Sequence, residues 1–398
     1  MTGSRLVAGL AMSQTIGYGC LYYAFPVVLS PIAADLHVST TAVTGAFTGN
    51  VLTAAVLAVP VGRWLDRHGG RGLMTAGSLL GVLALVMSSV MDHLWQLYVV
   101  QIGAGAAGAA SLYEAAFAVI IAGTDSRRRG SALLALTAVA GLASTVFLPL
   151  TGWLTDIRGW RTALVVLAAV QAVTVPLHAL TIGRPFHSDL TTSHRPRAAV
   201  STALTDRAFW LLAAGFTAHT AAVSALTVHL VGALVAWGHR PAFAATIAGL
   251  LGVLSVAGRL LTSGLQRRYR VGTVTAAVFT VQALAALAMP RIGTTTAGAI
   301  VTVAGFGIGF GVATIARPLL LAERYDTGRY ATLAGVLVIP ATLAKAAAPL
   351  AAAWLHATTT GYTGVLTGVA ACCVIAATAI GAATLRAASP ASCVRRGS

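Results

Sequence analysis

The sequence is divided into a series of uncharged apolar runs, each about 20 residues long, and this feature limits the fold more than any other. A helix of about 20 residues rises about 30 Å, which is the thickness of the hydrocarbon core of a bilayer. The sequence therefore predicts an all-α membrane protein with twelve transmembrane helices, called spans 1 to 12. They lie roughly at residues 6–34, 41–62, 72–91, 94–122, 130–154, 161–182, 208–236, 242–263, 271–289, 296–322, 330–355 and 362–385.

The composition excludes the other broad classes of protein. Hydrophobic residues make up 57% of the chain and charged residues only 9%, whereas an ordinary soluble domain has about 25% charged residues. The net charge of +16 does not indicate nucleic-acid binding, because the basic residues lie in short clusters between the apolar runs. The cysteine and histidine spacings predict no metal site.

The basic clusters predict the orientation of the chain in the membrane. One set of connections, which includes both termini, carries 21 of the 25 arginines when the adjoining span ends are counted with it. The other set carries the remaining four, and the single lysine lies inside span 11; these four are Arg158, Arg161, Arg240 and Arg291. Because cationic loops stay on the cytoplasmic side, we expect a multi-pass protein of the plasma (inner) membrane with both termini in the cytoplasm.

The two halves of the chain resemble each other at an offset of about 200 residues. In this register Arg129 corresponds to Arg329, and Pro149-Leu150 corresponds to Pro349-Leu350. Two six-span halves around a site near the membrane midplane are an arrangement that secondary transporters use. We expect pseudo-symmetric halves at 1–182 and 208–386, a cytoplasmic central loop at 183–207 and a cytoplasmic tail at 387–398.

Three charged residues stand out inside predicted spans, where a charge costs about 2.5–3.5 kcal/mol on insertion scales. Glu114 in span 4 is a candidate proton carrier or cation-binding carboxylate, and a structural ion pair is the alternative. Lys345 in span 11 could hold a substrate carboxylate or pair with Glu114. Arg317 in span 10 could bind a carboxylate through two parallel hydrogen bonds, or it could extend to the cytoplasmic interface.

Polar aromatic side chains supply further candidates for a cavity wall. His219 lies in the middle of span 7 and could titrate near neutral pH, although a hydrogen-bonded packing role is the common alternative. Tyr18 and Tyr22 lie four residues apart on one face of span 1. They could line a cavity or anchor the span at the membrane interface.

The loop after span 2 reads Gly62-Arg63-Trp64-Leu65-Asp66-Arg67-His68-Gly69-Gly70-Arg71. It resembles the signature G-x-x-x-D-R-x-G-x-[RK] of the major facilitator superfamily, and the twelve spans extend the resemblance over essentially the whole chain. The resemblance implies a central cavity between two six-helix halves that rock to alternate access. It also implies a cytoplasmic gating loop, formed by Gly62, Asp66, Arg67, Gly69 and Arg71. Asp66 can accept hydrogen bonds from a helix N-terminus or pair with a nearby arginine.

Within that superfamily, span 1 resembles the monocarboxylate and oxalate/formate branch. In that branch a membrane cation binds the substrate carboxylate, and Lys345, Arg317 or Arg259 could serve here. Drug/proton antiporters usually have an arginine in span 4 where this chain has Val99, and Gly-Pro in span 5 where it has Leu148-Pro149. The loop after span 8 is a degenerate second copy of the gating signature, with Arg267 where Asp66 is expected.

These features together predict a secondary transporter that moves a small organic anion with a proton. The alternative is a proton-driven exporter of amphipathic drugs or natural products. The sequence does not support a membrane enzyme, because no catalytic motif is present. It does not favour a non-transporting sensor either, because no appended soluble domain is recognisable. We expect a monomer whose partners are the solute, protons and the lipid bilayer. We expect no cofactor, no metal and no nucleic acid.

Overall fold

Helices form all of the regular secondary structure in the computed structural model, which describes residues 3–183, 202–325, 327–359 and 361–385. No strand occurs in these ranges. The first half contains α1 Gly3–Tyr18, a π-helical turn Gly19–Tyr23, α2 Ala24–Asp35, α3 Thr40–His68, α4 Gly70–Ser89, α5 Leu94–Ser111, α6 Tyr113–Gly123, α7 Ser126–Ala140, α8 Ala143–Ala172 and α9 Thr174–Thr181. The second contains α10 Arg207–Ala236, α11 Pro241–Leu265, α12 Val271–Ile292, α13 Thr296–Phe310, α14 Val312–Arg324, a 3-10 turn Thr327–Arg329, α15 Tyr330–Thr359 and α16 Tyr362–Leu385.

The described helices supply twelve membrane crossings. Eleven segments are long and apolar enough to span a bilayer, and one of them, Ser126–Thr181, is 56 residues long. At Gly159 the backbone leaves the helical region (φ 78°, ψ 159°), so this segment divides into spans 5 and 6. The expected class, an all-α membrane protein with twelve spans, is confirmed.

The described residues divide into two compact units. The first contains the described residues up to 183 together with those between 325 and 342, and the second contains 202–324 and 343–385. Span 11 therefore contributes its first part to the first unit and the remainder to the second. The predicted domain boundaries stay predictions, and the tail 387–398 and most of the central loop 183–207 lie outside the described residues.

Each unit joins its helices in the same pairs, as an internal repeat requires. In the first unit, spans 2 and 4, 3 and 4, 3 and 6, and 1 and 6 are in contact. The corresponding pairs in the second unit, spans 8 and 10, 9 and 10, 9 and 12, and 7 and 12, are also in contact. Five of the six spans in each half of the chain are thus paired in the same way.

Buried polar side chains tie the spans of the first unit together. His178 of span 6 contacts the Ser13 hydroxyl of span 1 and the Ser78 hydroxyl of span 3, each at 2.8 Å. At one end of the same spans, Arg161 forms ion pairs with Asp35 and Asp92. Water cannot replace hydrogen bonds that are buried in a bilayer protein, so the His178 contacts hold spans 1, 3 and 6 in register, whereas the Arg161 ion pairs are exposed.

Gly105 marks the closest approach between spans 2 and 4. A methyl group on its Cα would lie 2.2 Å from the carbonyl oxygen of Asn50. Gly103, two residues earlier on the same helix, has open space at the equivalent position. Small residues that let two backbones approach are typical of membrane helix interfaces.

The variant Gly105→Ala is expected to lower the thermal unfolding temperature of the purified protein in detergent, because the added methyl group forces α3 and α5 apart. Gly103→Ala is the matched control, and it should be neutral or stabilising because alanine favours helix by about 1 kcal/mol over glycine. Equal unfolding temperatures for the two variants would show that the close approach has no energetic importance.

Candidate functional site

Glu114 lies beside a break in span 4. Helix α5 ends at Ser111, the backbone at Leu112 is extended (φ −89°, ψ −161°), and α6 begins at Tyr113. Glu114 therefore sits in the first turn of α6, where the exposed amide groups and the helix dipole favour a negative charge. The half-buried carboxyl group thus has a local reason to be tolerated within the membrane.

Span 1 supplies a compensating contact for this break. The side-chain amide of Gln14 donates a hydrogen bond of 2.9 Å to the carbonyl oxygen of Ser111, the last residue of α5. Gln14 is fully buried. Sequence reasoning missed this residue, and the signal that could have found it is an amide side chain in the middle of an apolar span.

A tyrosine cluster surrounds the same break. The ring of Tyr18 lies 6.2 Å from that of Tyr22 and 4.4 Å from that of Tyr113, between centroids. Tyr22 and Tyr23 belong to the π-helical turn Gly19–Tyr23, whose wider turn brings them onto one side of span 1. The structure thus joins the predicted pair Tyr18 and Tyr22, with the adjoining Tyr23, to a fourth ring. This ring belongs to Tyr113, which sequence reasoning did not include.

The carboxylate and the tyrosines form one group within the first unit. Glu114 directly follows Tyr113, whose ring packs against that of Tyr18. All four tyrosines and Glu114 are partly accessible rather than sealed in the core. We call Glu114, Tyr18, Tyr22, Tyr23 and Tyr113 the tyrosine–carboxylate site.

The second unit contains the three cations that the sequence places inside spans. Lys345 has an exposed side chain on α15, and its backbone carbonyl accepts a hydrogen bond of 2.7 Å from Ser224 of span 7. Arg317 is half-buried on α14, directly before Pro318. Arg259 is buried on α11.

Arg259 is placed at a break in span 10, as Gln14 is in span 4. Helix α13 ends at Phe310, and α14 begins at Val312. The Arg259 Nε atom donates to the carbonyl oxygen of Gly311, which lies between them, over 3.4 Å. This carbonyl also accepts from the Thr314 hydroxyl at 2.6 Å. Such a position gives Arg259 a structural task at the break.

His219 is enclosed among spans 7, 9 and 10 and is only 2% exposed. Its Nε2 atom lies 3.0 Å from the Gln282 side-chain oxygen, and its ring stacks on Phe279 with centroids 4.1 Å apart. The Gln282 amide in turn donates to the Phe306 carbonyl at 2.9 Å. This geometry favours the packing alternative for His219 over a role in a cavity wall.

Asp66 of the gating loop caps the beginning of span 11. Its carboxylate accepts hydrogen bonds from the backbone amides of Ala331 (3.0 Å) and Thr332 (2.9 Å) and from the Thr332 hydroxyl. The sequence left two hydrogen-bonding partners open for Asp66, a helix N-terminus and a nearby arginine. The structure places Asp66 at a helix N-terminus. Thr332 was not among the sequence candidates, since no local pattern marks the partner of a cap 266 positions away.

Glycines of spans 2 and 11 allow the two backbones to approach each other near Asp66. A methyl group on Gly62 would lie 2.3 Å from the Ala331 carbonyl oxygen, and one on Gly335 would lie 2.4 Å from the Ala58 carbonyl oxygen. Gly69 ends α3 with a positive φ of 73°, which glycine adopts without strain. Arg67 is exposed and Arg71 is partly exposed. Spans 2 and 11 are therefore in backbone contact at this end.

Within the described ranges, no group of three or more histidine, cysteine, aspartate or glutamate side chains is arranged to hold a metal ion.

Twelve spans, two repeated units and a broken helix beside a membrane carboxylate define a secondary transporter of the two-repeat kind. The chain belongs to the Major Facilitator Superfamily, whose sequence profile matches residues 10–349. This membership agrees with the expectation of a transporter rather than an enzyme. The narrower likeness of span 1 to the monocarboxylate branch stays a prediction.

One curated relative matches part of the chain. An MFS-type efflux pump of Mycolicibacterium smegmatis is 35% identical over 182 residues, which is 44% of this chain. The match spans only 41% of that relative's length, less than half of the curated protein.

Solved structures share the fold at low sequence identity. The E. coli fucose:proton symporter has a TM-score of 0.76 and 14% identity, covering 95% of this chain and 97% of its own. A bacterial homologue of the iron transporter ferroportin has a TM-score of 0.77 and 13% identity, covering 97% and 100%. The human organic anion transporter MFSD10 has a TM-score of 0.72 and 14% identity, covering 96% and 100%. These likenesses show the fold alone.

The variant Asp66→Ala is expected to speed hydrogen–deuterium exchange at the first turns of α15, because the amides of Ala331 and Thr332 lose their acceptor. Exchange in the peptide covering residues 330–336 is the measurement. Asp125→Ala is the matched control, since Asp125 precedes α7 and its side chain makes no capping hydrogen bond. Unchanged exchange in Asp66→Ala would contradict the capping role.

Proposed function

We propose that the chain moves a small organic anion together with a proton, by alternating access, and that Glu114 carries the proton. The observation that carries this proposal is the distribution of charge within the spans. Away from span ends and turns, the described spans hold one carboxylate, Glu114, and three cations, Arg259, Arg317 and Lys345.

The excess of cations supports an anionic solute. Each charge in the hydrocarbon region is unfavourable unless an opposite charge or hydrogen bonds compensate it. Protonation of Glu114 removes the only membrane carboxylate among these spans and increases the attraction of the cations for an anion. Binding of the solute and of the proton would then favour each other, which is the requirement for cotransport.

The three cations would have different roles. Arg259 contacts the Gly311 carbonyl at the span 10 break and is assigned to structure. Lys345 has an exposed side chain and is the preferred group for the solute carboxylate. Arg317, which is half-buried beside Pro318, is the second candidate because its guanidinium can bind a carboxylate through two hydrogen bonds.

The Asp66 cap would act as the cytoplasmic gate. Three hydrogen bonds and the close contact of Gly62 with Ala331 hold spans 2 and 11 together. These bonds are short-range and would be lost together when the two spans separate. We further propose a monomer in the plasma membrane with both termini cytoplasmic.

A second candidate function is proton-driven export of amphipathic solutes. The name of the partial relative from M. smegmatis, an efflux pump, favours it. So does the tyrosine–carboxylate site, because aromatic rings beside a carboxylate attract organic cations. The two candidates differ in their dependence on Lys345, which an anion requires and a cation does not.

The test uses protein in liposomes that contain a pH-sensitive dye, with a panel of monocarboxylates, dicarboxylates and lipophilic cations added outside. Proton movement driven by a carboxylate should be abolished in Glu114→Gln and strongly reduced in Lys345→Ala, whereas Lys345→Arg, which keeps the charge, should retain part of it. The surface variant Arg291→Gln is the control for reconstitution.

Other outcomes separate the candidates. Proton movement with lipophilic cations only, insensitive to Lys345→Ala, would support the exporter. Solute flux without proton movement in the wild type would contradict proton coupling in both forms.

A further inference from the structure

A basic cavity of about 530 Å³ opens at the end of the second unit where spans 7, 8, 9, 10 and 12 have their predicted cytoplasmic termini. This volume lies within the range of about 300–1,000 Å³ that small-molecule sites have. The cationic lining comes from the loop after span 8 and from the end of span 10. The arginines are Arg267, Arg268, Arg270 and Arg324.

Two of the four arginines have no acidic partner in the described chain. Arg324 forms an ion pair with Asp206 at 3.0 Å. Arg270 lies near Glu323, which also lines the cavity. Arg267 and Arg268 make no ion pair with any described residue, so the cavity carries an excess of positive charge.

A neutral donor adds to these charges. Gln266 lines the cavity, and its side-chain nitrogen is buried without a hydrogen-bond partner among the described residues. A buried donor left unpaired costs about 1–3 kcal/mol. A bound acceptor oxygen would remove that cost.

Part of the remaining lining is apolar. Leu212 and Leu320 are buried at the end of the spans beside the arginines. Tyr269 is 59% exposed next to them, and exposed tyrosines are typical of the membrane–water interface. A ligand with an anionic head and an apolar body matches both parts of this lining.

We propose that this cavity binds a phosphate-bearing anion, most simply the headgroup of an anionic phospholipid. Arginine guanidinium groups bind phosphate oxygens through parallel charged hydrogen bonds. Basic pockets between membrane helices on the cytoplasmic side are suited to anionic headgroups. The site is distinct from the tyrosine–carboxylate site, which belongs to the first unit.

The internal repeat allows the loop that lines this cavity to be compared with its counterpart in the first unit. In the first unit the corresponding loop holds Asp66, which caps span 11. In the second unit the corresponding loop holds Gln266, Arg267 and Arg268 and has no acidic residue. The acidic helix cap of the first unit therefore corresponds to a cationic cavity wall in the second unit. An anion from outside the protein can neutralise that wall.

Binding is tested by native mass spectrometry of the delipidated full-length protein with added phosphatidylglycerol or phosphatidylcholine. The wild type should retain phosphatidylglycerol preferentially. The double variant Arg267→Gln/Arg268→Gln should lower its apparent affinity by about tenfold or more, since one charged hydrogen bond already corresponds to that factor. Arg240→Gln/Arg291→Gln is the matched control, with two exposed arginines of the same unit on the predicted opposite face.

A competition arm identifies the source of the phosphate. If glycerol 1-phosphate at millimolar concentration does not displace the lipid and does not stabilise the protein, the ligand is a membrane headgroup. If it stabilises the wild type and not the double variant, the site takes a soluble phosphate ester. Both results support a phosphate site.

Two further measurements keep the proposal testable if the double variant folds poorly. The conservative variant Arg267→Lys/Arg268→Lys should retain preferential binding, and the preference of the wild type should weaken as salt screens the exposed arginines. Equal retention of the two lipids by the wild type, or equal loss in the variant and its control, would overturn the proposal.

Discussion

Inside a bilayer every backbone amide and carbonyl must find its hydrogen-bond partner within the protein, because no water is present to supply one. This constraint explains why the regular structure of the described chain is entirely helical. It also makes each interruption of a helix informative, since an interruption releases groups that need new partners. At the span 4 break, the Gln14 side chain donates a hydrogen bond to the Ser111 carbonyl. At the span 10 break, the Arg259 side chain donates one to the Gly311 carbonyl.

Two of the helix interruptions lie at the tyrosine–carboxylate site. The span 4 break lies next to Glu114, and the π-helical turn of span 1 carries Tyr22 and Tyr23. Irregular backbone at membrane depth is tolerated where it is enclosed by protein or lines a water-filled space. The same constraint that forces regular helices elsewhere therefore identifies the tyrosine–carboxylate site as one place where the fold departs from continuous helices.

Much of the fold could be predicted from the sequence, because the signals that specify it are local or periodic. The apolar runs gave the twelve spans, and the match of Arg129 and Pro149 with Arg329 and Pro349 indicated two similar halves. The turn at Gly159 lies between the apolar runs of spans 5 and 6, as the sequence predicts. The helices on either side of this turn follow each other without a loop. Span boundaries differ by a few residues, as in span 2, which extends to His68 rather than ending near residue 62.

The site could be predicted only where one residue is unusual in its own context. A lone carboxylate at 114 and a lone lysine at 345 attract attention in an apolar run, and the loop at Asp66 matches a known signature. The partners are another matter: Thr332 and Tyr113 are ordinary residues in the sequence, and only the folded chain brings them to Asp66 and Tyr18. The environment of His219 is likewise a property of three packed spans.

The central claim is that Glu114 couples the movement of the solute to that of protons. The most direct measurement imposes a pH gradient on liposomes and follows a radiolabelled carboxylate that the protein transports. The account predicts that the wild type concentrates the carboxylate above its equilibrium level. Glu114→Gln should still exchange labelled for unlabelled carboxylate but should not concentrate it. Accumulation by Glu114→Gln at the wild-type level would contradict the account.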